Sequence, residues 1–160
     1  MPTTQDVYSK STETLKTAGA HYREFEHEPV FDYETAAVIR QRFGLQGVES
    51  KNLFLKTKKG EYCMLITVQG KRADFDALKE VLGSKVSVAS HDELKEKTGC
   101  EPNCATPLGH PAEVILVVDN EIFRHHYFIF SPGPAERTVE MLTEEFRRVL
   151  QNVPNKVLFI

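Results

Sequence analysis

Two stretches of this chain hold residue types that could do chemistry without a side-chain nucleophile. The first is Lys51-Asn52-Leu53-Phe54-Leu55, where a lysine opens an apolar run that continues past a Lys/Gly turn into Tyr62 to Val68. That pattern predicts a β-hairpin with a cation at its entrance. Such a lysine either carries its ammonium out to water or points it into a cleft roofed by another loop. The second stretch is Glu101 to Gly109, in which Pro102 and Pro107 flank Asn103-Cys104-Ala105-Thr106. A kinked loop of small residues can turn successive backbone N–H groups toward one point, making a nest for a carboxylate, a phosphate or a developing oxyanion. The same loop also serves as a plain connection from a helix to a strand.

Other chemistries find less support. No Gly-x-Ser-x-Gly elbow is present, and no phosphate-binding glycine pattern follows a strand. Cys100, Cys104 and His110 could ligate a metal, yet Cys-x3-Cys with one nearby histidine falls short of a four-ligand structural zinc site. His125 and His126 are adjacent before a strand, where neighbouring residues point to opposite faces. No metal and no cofactor are therefore expected. Three cysteines, Cys63, Cys100 and Cys104, have no framework spacing and are expected to be reduced thiols.

The elements that must position the two stretches alternate helix with strand. Val7, Ser11, Leu15 and Ala18 form one helical stripe over residues 6–18, and residues 21–27 read as a short strand. Asp32 is placed to cap a helix that Gly44 stops, Asp74 to cap one that Gly83 stops, and Ser90 with Glu93 to form a capping box ahead of Gly99. Phe75, Leu78, Val81 and Leu82 should face inward. Residues 86–89, 114–119, 127–130 and 157–160 read as strands, with a turn at Asp119-Asn120. Val139 and Met141 alternate with Thr138 and Glu140, so 137–142 is expected as strand, followed by a helix capped by Thr143.

Composition bounds the rest. The 160 residues, 41% hydrophobic and 27% charged, suit one compact mixed α/β domain over 1–160 with a central mixed or antiparallel sheet among helices. No leader pattern or membrane-length apolar run is visible, so a cytoplasmic protein is expected. A net charge of -3 argues against coating nucleic acid nonspecifically. Arg40, Arg42, Lys51, Lys56, Lys58 and Lys59 nevertheless crowd one stretch and could hold a few phosphates.

Taken together, Lys51 to Leu55, Lys58 to Tyr62, Gly70 to Asp74, Ser90 to Leu94 and the Pro102 to Gly109 loop resemble the YbaK/prolyl-tRNA-synthetase-associated editing domains. His27-Glu28-Pro29-Val30 and Val114 to Asp119 fit the same pattern, which covers nearly the whole chain. The resemblance implies a freestanding trans-editing factor that hydrolyses the ester of a mischarged tRNA, with a small amino acid on tRNA(Pro) as the family-weighted substrate. It implies Lys51 as the principal side chain, with Asn103, Cys104, Ala105, Thr106 and Pro107 supplying backbone donors to the ester. Asn52, His27, Phe31, Leu53, Thr67, Ser131 and Gly133 would surround the substrate, and Arg40, Arg42, Lys56 and Lys58 would meet the tRNA. The partners implied are the acceptor end of aminoacyl-tRNA and an aminoacyl-tRNA synthetase, with a monomer as the expected state.

Two departures bear on specificity. Asn103 stands where the family loop has glycine, and Ser131 or Gly133 stands where some members have a functional histidine. A noncatalytic module that binds a synthetase or tRNA is the alternative reading, and a metal or thiol protein built on Cys100 and Cys104 a third.

Overall fold

Helix boundaries in this chain follow from side chains that satisfy the free N–H groups of each first turn. The computed structural model describes residues 1–160. Thr3 and Asp6 form a reciprocal capping box at α1 (Thr4–Thr17), which therefore starts two residues before the predicted stripe. Asp32 accepts from the Thr35 N–H at 2.7 Å to open α2 (Tyr33–Phe43), and Gly44 closes it at φ 64°. Asp74 opens α3 (Phe75–Leu82) and Ser90 opens α4 (His91–Thr98), as the sequence predicts. The exception is α5 (Thr143–Leu150). Leu142 occupies its cap position with no side-chain bond, and Thr143 donates its hydroxyl to the His125 carbonyl instead. The chain passes there straight from strand to helix, leaving no room for a separate capping residue.

The strands are β1 (Arg23–Glu26), β2 (Val48–Thr57), β3 (Tyr62–Val68), β4 (Val86–Val88), β5 (Ile115–Val118), β6 (Tyr127–Phe130), β7 (Arg137–Leu142) and β8 (Val157–Phe159). They form one mixed sheet in the order β1-β7-β6-β2-β3-β5-β8, with β4 joined to β2. This is the mixed α/β architecture expected from the sequence. The Asp119-Asn120 turn opens a short 3-10 segment, Asn120–Arg124.

Alternation along the strands divides the core in two. Met64, Ile66 and Val68 face a larger core with Phe128, Phe130 and Phe146, joined by Val7 and Leu15 of α1. Leu55, Cys63, Leu65, Ile115 and Val117 face a smaller one beneath Leu78 and Leu82 of α3. Phe75, expected inward on that stripe, is 41% exposed.

One feature of the sheet positions the site. β2 pairs with β3 from Ser50 to Lys56. On its other side it pairs with β6 only at Val48 and Glu49, and with β4 only at Leu55 to Thr57. Between those two neighbours, Ser50 to Leu53 have no strand beside them.

Candidate functional site

The missing strand leaves a cleft of about 480 Å³ in the middle of the sheet, a size usual for small-molecule sites. Its floor is Ser50 to Leu53. The start of α2 closes one end, where the Tyr33 hydroxyl donates to the Ser50 carbonyl at 3.1 Å. The junction of β4 and α4, including Ser90 and His91, lines another wall, and residues 102–105 of the kinked loop a third.

Lys51 and Asn52 both line this cleft but lead in different directions. Lys51 lies opposite Thr67 of β3, and its ammonium donates to the Lys71 carbonyl at 2.9 Å. Asn52 is the neighbour that reaches the loop: its amide donates to the Ala105 carbonyl and to the Ser50 hydroxyl, each at 3.1 Å. Its Oδ1 is buried without a hydrogen-bond partner. Strand alternation is the cause, because successive side chains leave opposite faces. Lys51 pairs with no carboxylate, so two of its three N–H donors stay free.

The loop is a nest with few free donors. Asn103 adopts φ 65° and is the sole non-glycine residue at positive φ, taking the conformation that glycine would provide. The Cys104 N–H donates to the Glu101 carbonyl at 3.0 Å, the Thr106 N–H faces the Cys100 thiol, and Pro107 has none to give. Asn103 and Ala105 therefore retain the uncommitted N–H groups. Of the five loop residues expected at the substrate, Asn103, Cys104 and Ala105 line the cleft. Thr106 and Pro107 are buried beneath, where they serve as scaffold.

That scaffold is tightly pinned. His110 donates from Nε2 to the Thr106 carbonyl at 2.6 Å, and burial pushes its pKa down to about 4, so it remains neutral. Thr106 and Ser11 both donate their hydroxyls to the Leu108 carbonyl. Gly109, at φ 87°, lies against α1. Cys100, Cys104 and His110 do not converge on a metal-ligating cluster. Burial pushes the Cys104 thiol up to about 11 and the Cys63 thiol up to about 12, which leaves both protonated and poor nucleophiles.

The other expected site residues divide. Phe31, Leu53 and Ser131 line the cleft, with Phe31 54% exposed at its mouth. His27 stands behind the wall, with Nδ1 donating to the Glu28 carbonyl and Nε2 accepting from the Thr138 hydroxyl, each at 2.7 Å. Thr67 is buried and donates to Asp119 Oδ2 at 2.8 Å. Gly133 packs against the backbone of α1, where a Cβ would come 3.1 Å from the Tyr8 nitrogen. These three support the walls without forming them. Among the cations, Arg40 donates to the Gly47 carbonyl, Arg42 grips Glu28 through two bonds of 2.5 and 2.6 Å, and Lys56 pairs with Glu93 at 3.1 Å. Lys58 alone of the four is free and exposed.

The sequence reading missed Tyr33, His91 and, above all, Glu49. Glu49 lies on β2 two residues before Lys51 and lines the cleft. Burial pushes its carboxyl up to about 7; the Arg40 charge opposes that rise and the Glu140 charge adds to it. A carboxyl raised on folding contributes stability that is fully present below its unfolded pKa, near 4.5, and is lost as pH rises through about 7. Glu49→Gln should accordingly be more stable than the wild type by about 1–3 kcal/mol at pH 8, with a much smaller gap at pH 5. Urea melts at the two pH values would measure this, and an equal gap at both would refute it.

Comparison with known proteins gives a family, two relatives and two similar folds. Residues 27–149 match the sequence profile of the aminoacyl-tRNA editing domain. The multifunctional Ser/Thr-tRNA deacylase ProXp-y of Escherichia coli strain K12 is 29% identical over 142 residues, covering 86% of this chain and 84% of that one. The prolyl-tRNA synthetase associated domain-containing protein 1 of Bos taurus is 30% identical over 136 residues, covering 79% and 78%. Among solved structures, the hypothetical protein APE2540 superposes with a TM-score of 0.79 at 21% identity, over 92% of this chain and 96% of that chain. A protein provisionally described as a trans-editing enzyme for prolyl tRNA synthetase gives 0.74 at 18%, over 96% and 95%. At those identities the structural likeness is one of fold.

Proposed function

Because the chain belongs to the aminoacyl-tRNA editing domain family, we propose that it is a trans-acting deacylase that hydrolyses the ester between a wrongly attached small amino acid and the terminal adenosine of a tRNA. The observation that carries this reading is one cleft lined both by Asn103 and Ala105, whose backbone N–H groups are free, and by an unpaired lysine, with no reactive thiol. That set suits attack by water on an ester. The carbonyl carbon becomes tetrahedral, its oxygen takes negative charge, and the two N–H groups stabilise that oxyanion. Collapse breaks the bond to the ribose oxygen, which takes up the proton given up by the attacking water, and frees the amino acid.

The other residues have assigned tasks. Lys51 attracts the phosphate of the terminal nucleotide, and the N-termini of α2 and α4 add partial positive charge at the same mouth. Asn52 holds the loop through Ala105 and offers its unpartnered Oδ1 to a ribose hydroxyl. Lys58 meets the tRNA further out. Such a factor answers a physical need: a synthetase pocket gains only about 1–3 kcal/mol per methylene and cannot strongly exclude smaller or isosteric amino acids. Alanine, serine, threonine and cysteine are the candidate side chains, and tRNA(Pro) is the favoured carrier. The same reading places the protein in the cytoplasm as a monomer of one domain, working beside a synthetase.

A deacylation panel tests it. Alanyl-, seryl-, threonyl- and cysteinyl-tRNA(Pro) are incubated with the protein beside correctly charged prolyl-tRNA(Pro). Loss of one or more mischarged esters, with the prolyl ester spared, is the expected result. Survival of every ester would sink the proposal.

A further inference from the structure

Two carboxylates line the cleft, Asp32 and Glu49. Asp32 is committed, since its Oδ1 caps α2 through the Thr35 N–H at 2.7 Å. Glu49 is not. Arg40, whose charge acts on it, gives its guanidinium to the Gly47 carbonyl. Glu140, on the far side, already accepts from the Gln46 and Gly47 N–H groups and pairs with Arg23. No side chain or N–H of the protein bonds the Glu49 carboxyl. A half-buried carboxylate of this kind invites a cation from the ligand.

The substrate class proposed above carries one. An aminoacyl ester has a free α-ammonium group two bonds from the carbonyl carbon under attack, and that group must find an acceptor once the cleft has stripped its water. We propose that Glu49 binds the α-ammonium of the aminoacyl group, so that the site accepts aminoacyl esters and rejects esters whose amine is acylated. This inference rests on the deacylase reading and extends it. Its consequence is protective: a peptidyl-tRNA, whose nitrogen is an uncharged amide, would gain nothing from Glu49 and would leave the carboxylate desolvated and unpaired. Asn52 Oδ1 is the other unpartnered acceptor in the cleft, but it is neutral and draws a cation less strongly.

A substrate analogue that cannot be hydrolysed separates binding from turnover. In 3′-alanylamido-3′-deoxyadenosine the ester is replaced by an amide, and alanine is the smallest of the candidate side chains. Calorimetry should find that the wild type binds it about 10- to 100-fold more tightly than its N-acetyl derivative. Glu49→Gln should bind both with the same weak affinity, and Glu49→Asp should fall between. In parallel kinetics on alanyl-tRNA(Pro), Glu49→Gln should raise KM with kcat nearly held.

Equal affinity of the wild type for the two analogues, or discrimination preserved in Glu49→Gln, would overturn the proposal; the second outcome would move the role to Asn52. Absence of any binding would overturn it as well. Discrimination by the wild type, lost in Glu49→Gln, with every ester left intact would retain the ammonium site and remove the deacylase reading. Cleavage of alanyl-tRNA(Pro) without discrimination would do the reverse.

Discussion

Lys51→Ala should lower kcat/KM for the mischarged ester by at least about 100-fold while the protein remains folded. Lys51 makes one hydrogen bond, to the Lys71 carbonyl at the surface, and has no carboxylate partner. Removing it should therefore change stability by less than about 1 kcal/mol. What disappears is a free positive charge at the mouth of the cleft, where the proposed substrate would bring a phosphodiester. Lys51→Arg is the instructive companion, because it keeps the charge but presents a planar fork in place of a compact ammonium. Partial activity in that variant would indicate that charge dominates; none would indicate that shape does. Deacylation by Lys51→Ala within about threefold of the wild type would refute the assignment.

Gly109→Ala should cost about 2–5 kcal/mol in urea denaturation and also abolish activity, although Gly109 lies outside the cleft. The residue sits at φ 87°, where a side chain is strained. A Cβ there would lie 2.6 Å from both the Ser11 hydroxyl and the Val7 carbonyl oxygen of α1. The second contact is backbone, so no rotamer change relieves it. The chain must shift between Leu108 and His110, the segment that fixes Thr106 and hence the free N–H groups above it. Gly60→Ala is the control. It has a similar φ of 86° but nothing within 4 Å of the added carbon, and it should cost only about 1 kcal/mol with activity unchanged. Equal costs for the two variants would show that strain, and not the wedge against α1, governs Gly109.

The sequence made some of this legible and concealed the rest for identifiable reasons. Caps at Asp32, Asp74 and Ser90 are decided within four residues, and each is where the pattern placed it. Alternation at Val139 and Met141 placed β7 as a strand and put both residues in the core, but Glu140 between them is buried too, where it accepts from the Gln46 and Gly47 N–H groups. Asn103 could be recognised as a glycine substitute because its side chain tolerates positive φ. What could not be read depended on partners far along the chain. Arg42 and Lys56 count as free cations until Glu28 and Glu93 come to rest beside them. That Asn52 and not Lys51 is the neighbour that holds the loop appears only when the sheet sends one to Ala105 and the other to Lys71. Glu49 carried no signal of its own, because the groups that set its surroundings, Arg40 of α2, Ile129 of β6 and Glu140 of β7, are brought together only by the sheet.

The floor of the cleft is backbone, made by the absence of a strand beside Ser50 to Leu53. Pairing with β3 holds that floor whatever side chains it carries. The features that choose a ligand, namely the loop, the start of α2 and the residues at the rim, are attached around it and carry little of the core. Such a division of labour leaves substrate preference free to drift between lineages at small cost to folding. Relatives sharing fewer than a third of their residues with this chain can thus keep one scaffold while the residues around the cleft change.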